Sequence, residues 1–201
     1  MRKPILMPLV TLLVAAIVLL AAYNISLPAR QARIQEELTG KMQTILPGST
    51  TFVQEEYTGE DANIRSVYKG DTGYVVETAT YGYAGNITML IGVSNEGKVT
   101  GLQIRQMQET WGLGAQALTD WEFLAQFLNT TGNVAIATSG SDAFSSATQT
   151  PEGEEPAAEE VYVDGISGAT VTSKAIARSV NSAVAFVTGA DAATQATKWG
   201  G

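Results

Sequence analysis

Nineteen consecutive uncharged residues, Ile5 to Tyr23, constrain this chain more than any other feature. The run is rich in Leu, Val, Ile and Ala, and no polar face interrupts it at helical spacing. As a helix it would span about 28 Å, close to the roughly 30 Å hydrocarbon core of a bilayer. Arg2 and Lys3 flank its N-terminal end, and the positive-inside rule puts that end in the cytoplasm. Everything after Tyr23 is then expected on the extracytoplasmic side, with Tyr23 at the outer interface. The competing reading is a cleaved signal peptide, but the run is long for one and no Ala-x-Ala site follows it. A retained, lipid-embedded anchor over residues 1–27 is therefore expected.

Roughly 178 residues follow that run, enough for one domain with a substantial core. The chain has no cysteine and no histidine, which excludes disulfides, iron–sulfur ligation, thiol chemistry and His-based zinc or general-base sites. Beyond the first three residues, ten basic residues face 20 acidic ones. Such a surface is a poor partner for nucleic acid.

In residues 28–48, Ile34, Leu38, Met42, Ile45 and Leu46 recur at helical spacing, and Pro47-Gly48 stops the pattern. An amphipathic juxtamembrane helix is expected there, either a stalk or the domain's first packed helix. The period then changes. Ile64–Tyr68, Tyr74–Thr80, Ile87–Val93 and Val99–Met107 are rich in β-branched and aromatic residues, and Gly-containing turns separate them. The short Asn95-Glu96-Gly97 connection is a hairpin signal, so the sheet is expected to be an antiparallel meander. No helix follows Gly82-Tyr83-Ala84-Gly85-Asn86, which makes it a tight turn rather than a phosphate cradle.

Thr119 or Asp120 caps a helix expected to run to about Leu128, with Phe123, Leu124, Phe127 and Leu128 inward. A strand is expected within Asn133–Thr138. Residues 139–160 hold six acids and no base among Ser, Thr, Pro and Ala, which reads as an acidic, exposed insertion. Divalent-cation binding by Glu152, Glu154, Glu155, Glu159 and Glu160 is weakly signalled, and no metal site is assigned. Residues 191–201 form a polar tail. The whole reads as α+β: one N-terminal transmembrane helix, then one domain over 49–190.

The densest chemistry lies in Asp164-Gly165-Ile166-Ser167-Gly168-Ala169-Thr170-Val171-Thr172-Ser173, between the apolar run Val161–Val163 and a helical pattern over Lys174–Thr188. Ser167, Thr170, Thr172 and Ser173 place four hydroxyls within seven residues. On these residues alone an Asp-Gly turn and a Ser/Thr helix cap is the plainer account. The alternative is a phosphate held at a helix start, where unpaired N–H groups and the positive dipole end converge.

Three stretches in order, Gly82 to Val93, Glu109-Thr110-Trp111-Gly112-Leu113-Gly114, and Asp164 to Thr170, resemble the FMN-binding domain family. That family includes the G subunit of Rnf electron-transport complexes and the C subunit of the sodium-pumping NADH:quinone oxidoreductase. The resemblance covers roughly residues 60 to 190. It implies FMN joined covalently, by a phosphoester, to the hydroxyl of Thr170, with Ser167, Gly168, Ala169, Thr172 and Lys174 around the phosphate. Asp164 and Gly165 would be read by a flavin transferase during maturation. Glu109, Thr110, Gly112, Leu113 and Gly114 would form a loop near the flavin ring. Trp111 stands where the family has Pro, and either stacks on the ring or anchors the loop. The implied role is an electron-carrier subunit of a membrane complex that couples ferredoxin:NAD electron transfer to Na+ or H+ translocation. Such a subunit would not be catalytic alone, and no catalytic residue is assigned. The alternatives are a C-type subunit of the quinone-reducing pump, a stand-alone flavin carrier, or an anchored binding domain without cofactor.

Overall fold

The computed structural model describes residues 3–110, 114–137 and 161–190. The chain forms two compact units that divide after Gly40. The first is most of helix α1, Lys3–Ile45. It contains a stretch long and apolar enough to cross a membrane, and Leu9, Leu12, Leu13, Ile17, Val18, Leu19 and Leu20 are all exposed on it. The anchor expected over 1–27 and the helix expected over 28–48 lie on one element, and α1 runs through both Pro8 and Pro28. Proline removes one donor and strains one turn, which long flanking helical segments can absorb. Ile34 stays exposed, so the apolar stripe expected from residue 34 onward is not buried throughout.

The second unit is built on a five-stranded antiparallel sheet: β1 (Val53–Glu55), β2 (Ile64–Lys69), β3 (Gly73–Tyr81), β4 (Asn86–Ser94) and β5 (Val99–Met107), in that spatial order. The turns are those the glycines suggested. Gly70 N–H donates to Gly73 O at 2.8 Å, Gly82 N–H to Gly85 O at 2.8 Å, and Gly97, at φ +80°, donates to Ser94 O at 2.9 Å. Residues of alternating parity face opposite sides of the sheet. Val76, Ile87, Met89 and Ile91 lie on one side, in a core they share with Ile176, Val180 and Val184 of helix α4 (Thr170–Thr188). Gly92 and Gly101 are register partners, and both lie against Ile45, the last residue of α1. Thr100 Oγ1 donates to the Ile45 carbonyl at 2.6 Å, so the end of α1 is pinned where two glycines leave the sheet flat.

After the sheet come short helices α2 (Gly114–Ala117) and α3 (Trp121–Ala125), then β6 (Val134–Ala137) and β7 (Val161–Asp164). Asp120 caps α3 by accepting the Phe123 N–H at 3.1 Å, and Phe123 and Phe127 are buried in edge-to-face contact. Strands β6 and β7 form a parallel pair, a pairing that sequence spacing did not show. Residues 138–160, with the five glutamates of the expected insertion, and the tail 191–201 lie outside the described residues. Asn181 of α4 accepts the Val134 N–H at 2.8 Å and donates to the Val134 carbonyl at 3.0 Å, fixing α4 to β6 as well as to the main sheet. Gly189, left-handed at φ +69°, ends α4.

Candidate functional site at the start of the C-terminal helix

Strand β7 delivers the chain to the start of α4 through a turn that is tied down at both ends. Gly165 N–H donates to Ala137 O at 2.9 Å, and Ala169 N–H donates to Ile166 O at 2.9 Å. Gly168 sits at φ +80°, a backbone state that favours glycine. Helix α4 therefore begins four residues earlier than its apolar period suggested, with Thr170 as its first residue.

The four hydroxyls of this stretch have four different fates. Ser167 is exposed. Ser173 is buried and structural: its Oγ donates to Ala169 O at 3.0 Å and lies 3.4 Å from the Ile166 N–H. Thr172 is fully buried, and its Oγ1 has no hydrogen-bond partner among the described residues. Thr170 is half-buried, so its hydroxyl is reachable while its backbone is fixed in the helix. Lys174 follows one turn later and is half-buried. The expected Ser/Thr cap is not there: the N-cap residue is Ala169, and no side chain caps the helix. Alanine is a poor cap because it offers no acceptor to the first-turn N–H groups. A 19-residue helix thus presents an uncapped, electropositive start beside a reachable hydroxyl.

The Glu109 loop approaches the same place. Glu109 Oε1 accepts the Tyr83 N–H at 2.8 Å, and Oε2 lies 3.4 Å from the Ala84 N–H. A Cβ built on Gly114 would meet Glu109 Oε2 at 2.5 Å and Thr172 Oγ1 at 2.6 Å. That glycine therefore brings the loop against both the carboxylate and the orphaned hydroxyl. Thr110 is exposed, and its carbonyl accepts the Ala115 N–H at 3.2 Å. Trp111, Gly112 and Leu113 lie outside the described residues, so the stacking reading of Trp111 has no geometry behind it. Among the described residues no group of three or more acidic side chains could hold a metal ion. The tie between Glu109 and the Gly82–Gly85 turn was missed from sequence. Its signal was present in the glycines at 82 and 114, the positions where a Cβ would strike the carboxylate.

An uncapped helix start, a half-buried threonine on its first residue, the buried Thr172 hydroxyl and the tight fit at Gly114 meet in this region. The comparisons specify the class. The FMN-binding domain family matches residues 82–185, just over half of the chain, and the chain belongs to that family. It is 31% identical over 202 residues to the G subunit of the ion-translocating oxidoreductase complex of Methanosarcina acetivorans, covering 92% of this chain and 95% of that protein. It is 28% identical to the G subunit of the proton-translocating ferredoxin:NAD(+) oxidoreductase complex of Clostridium ljungdahlii, covering 89% and 87% respectively. Its fold is shared with the crystal structure of the C subunit of Na(+)-translocating NADH-quinone reductase from Parabacteroides distasonis, at TM-score 0.50 and 20% identity over 77% of this chain and 92% of that one.

Proposed function

We propose that this chain is an electron-carrier subunit of an Rnf-type membrane complex, holding FMN through a phosphoester to Thr170. The observation that carries the reading is Thr170 itself, a reachable hydroxyl on the first residue of an uncapped helix, within the family's sequence motif. The near full-length likeness to the G subunits supports the complex. When bound, FMN supplies electron transfer in one- or two-electron steps, and the protein supplies position and electrostatics.

Each residue's part follows from its place. Thr170 Oγ1 forms the new P–O bond and gives up its proton to solvent. The donor, by chemical class a flavin-bearing pyrophosphate, loses its P–O–P bond and releases a nucleotide monophosphate, so no oxidant or reductant is consumed. The first-turn N–H groups and the helix dipole would hold the phosphate, with Lys174 one turn away to offset its charge. Ser167, Gly168 and Ala169 form the turn that leaves room for it. Thr110 and Gly114 bring their loop to this helix start, Thr172 packs beneath it, and by the family resemblance Gly112 and Leu113 belong with the flavin ring. Asp164 and Gly165 are the part of the turn that a flavin transferase reads. The apolar helix anchors the chain in lipid, with the flavin domain outside the cytoplasm. There a covalent bond keeps the cofactor from diffusing away, and electrons pass between neighbouring subunits.

The test is denaturing electrophoresis with flavin fluorescence, on chain coexpressed with a flavin transferase. Wild type and Thr172→Val should fluoresce, and Thr170→Val should not. A fluorescent Thr170→Val band would place the bond elsewhere. Co-purification with other subunits of a ferredoxin:NAD oxidoreductase would support the complex, and isolation without any such partner would not.

A further inference from the structure

Glu109 is the half-buried acid between the β3–β4 turn and the loop before α2, and its carboxylate is gripped from two sides. Oε1 accepts the Tyr83 N–H at 2.8 Å, with the Ala84 N–H 3.4 Å from Oε2. A Cβ on Gly82 would fall on Oε1, and one on Gly114 would lie 2.5 Å from Oε2. Both glycines are thus needed for the carboxylate to sit where it does. The same built Cβ on Gly114 would lie 2.6 Å from Thr172 Oγ1, in the first turn of the helix that carries Thr170. The Glu109 side chain therefore ties its loop to the turn at 82–85, and Gly114 is the close-packed point between that carboxylate and the start of α4.

We infer that Glu109 is a positioning residue for the flavin. It acts by clamping the Tyr83–Ala84 backbone against the Gly114 approach, rather than by contacting the cofactor through its oxygens. The chemistry suits this role. A carboxylate accepts several N–H bonds at once, and charge-assisted bonds to backbone N–H groups are about twice as strong as neutral ones. Tyr83 is exposed beside the clamp, so releasing the clamp frees an aromatic side chain at the rim of the site. Gln at this position keeps shape and one acceptor but loses the charge and the second acceptor. The inference rests on the flavin reading above for its functional half alone; the clamp is a property of the protein.

The test uses the full chain in detergent. In chain without flavin (Thr170→Val background), amide hydrogen exchange at Tyr83 and Ala84 is compared between Glu109, E109Q and G82A. Both variants should raise exchange at these two amides tenfold or more, with exchange at Val76 and Ile91 unchanged. In transferase-matured chain with Thr170 present, E109Q should keep covalent flavin at wild-type stoichiometry while changing flavin emission intensity at least twofold. E109D, which keeps the charge, should restore part of that intensity. Unchanged exchange would overturn the clamp. Raised exchange with unchanged emission would reduce Glu109 to a fold residue and overturn the positioning role. A wild-type chain that takes up no flavin would refute the covalent-flavin reading and the functional half with it, while the exchange result would still decide the clamp.

Discussion

Replacing Thr80 by Val tests how helix α4 is seated on the sheet. Thr80 Oγ1 is buried and donates to the Ala175 carbonyl of α4 at 3.1 Å. Its single proton is thereby used, so the 2.9 Å contact with Ser179 Oγ is donated by Ser179. Val has nearly the same shape but leaves the buried Ser179 hydroxyl without an acceptor on the sheet. Stranding a buried donor costs about 1–3 kcal/mol. At roughly 2–4 °C per kcal/mol for a domain of this size, Thr80→Val should melt roughly 2–12 °C below wild type. Ser179→Ala leaves Thr80 its bond to Ala175, so it should cost less, about 0.5–1.5 kcal/mol. The double variant removes both hydroxyls and strands neither, so it should be no less stable than Thr80→Val alone. That corresponds to a coupling of about 1 kcal/mol between the two sites. Thermal and urea melts of the four proteins by circular dichroism measure it. Strict additivity, or a Thr80→Val protein as stable as wild type, would refute this account of how α4 is held.

Two further perturbations address the domain away from the site. Gly101→Ala would put a Cβ 2.7 Å from the Ile45 Cα and 2.8 Å from its carbonyl oxygen, both rigid backbone. It should destabilise the domain by about 1–3 kcal/mol, and a wild-type melting profile would contradict the packing of α1 on the Gly92–Gly101 patch. Asp71 accepts the Thr50 and Thr51 N–H groups and both their hydroxyls, and these bonds, led by the Thr50 N–H, hold its carboxyl below its ordinary 3.8. A depressed folded value means the contribution is fully present above the unfolded value and is lost as pH falls through the folded one. The stability gap between wild type and Asp71→Asn should therefore be constant near neutral pH and close below about pH 4, as melts across that range would read. A gap that widens in acid would reverse the sign.

The sheet was legible because its strands carry period-2 patterning and glycine turns: Val99–Met107 has the expected bounds, and the other three meander strands extend by a residue or two. The β6–β7 pairing was not legible, because parallel neighbours 27 residues apart share no local turn signal. The segments expected at 1–27 and 28–48 fall on one continuous helix, α1. At the site, the residues alone did not rank the four hydroxyls, and only the family resemblance pointed to Thr170. Burial separates them in the fold, since Ser173 is consumed by the turn and Thr172 is buried with no partner among the described residues. The uncapped start was hidden because four potential capping residues flank it, yet Ala169 occupies the position that counts. Glu109 was placed near the ring by resemblance, but its bonds to the Tyr83–Ala84 turn depend on two segments meeting only in the fold.

The most direct test of the central claim is tandem mass spectrometry of tryptic peptides from transferase-matured full-length chain. No Lys or Arg lies between Arg105 and Lys174, so one peptide, Gln106–Lys174, carries the whole candidate site. The account predicts that this peptide gains one FMN less one water, with fragment ions assigning the addition to Thr170. An addition on Ser167, Thr172 or any residue outside the peptide, or a fully matured chain with no addition at all, would contradict it.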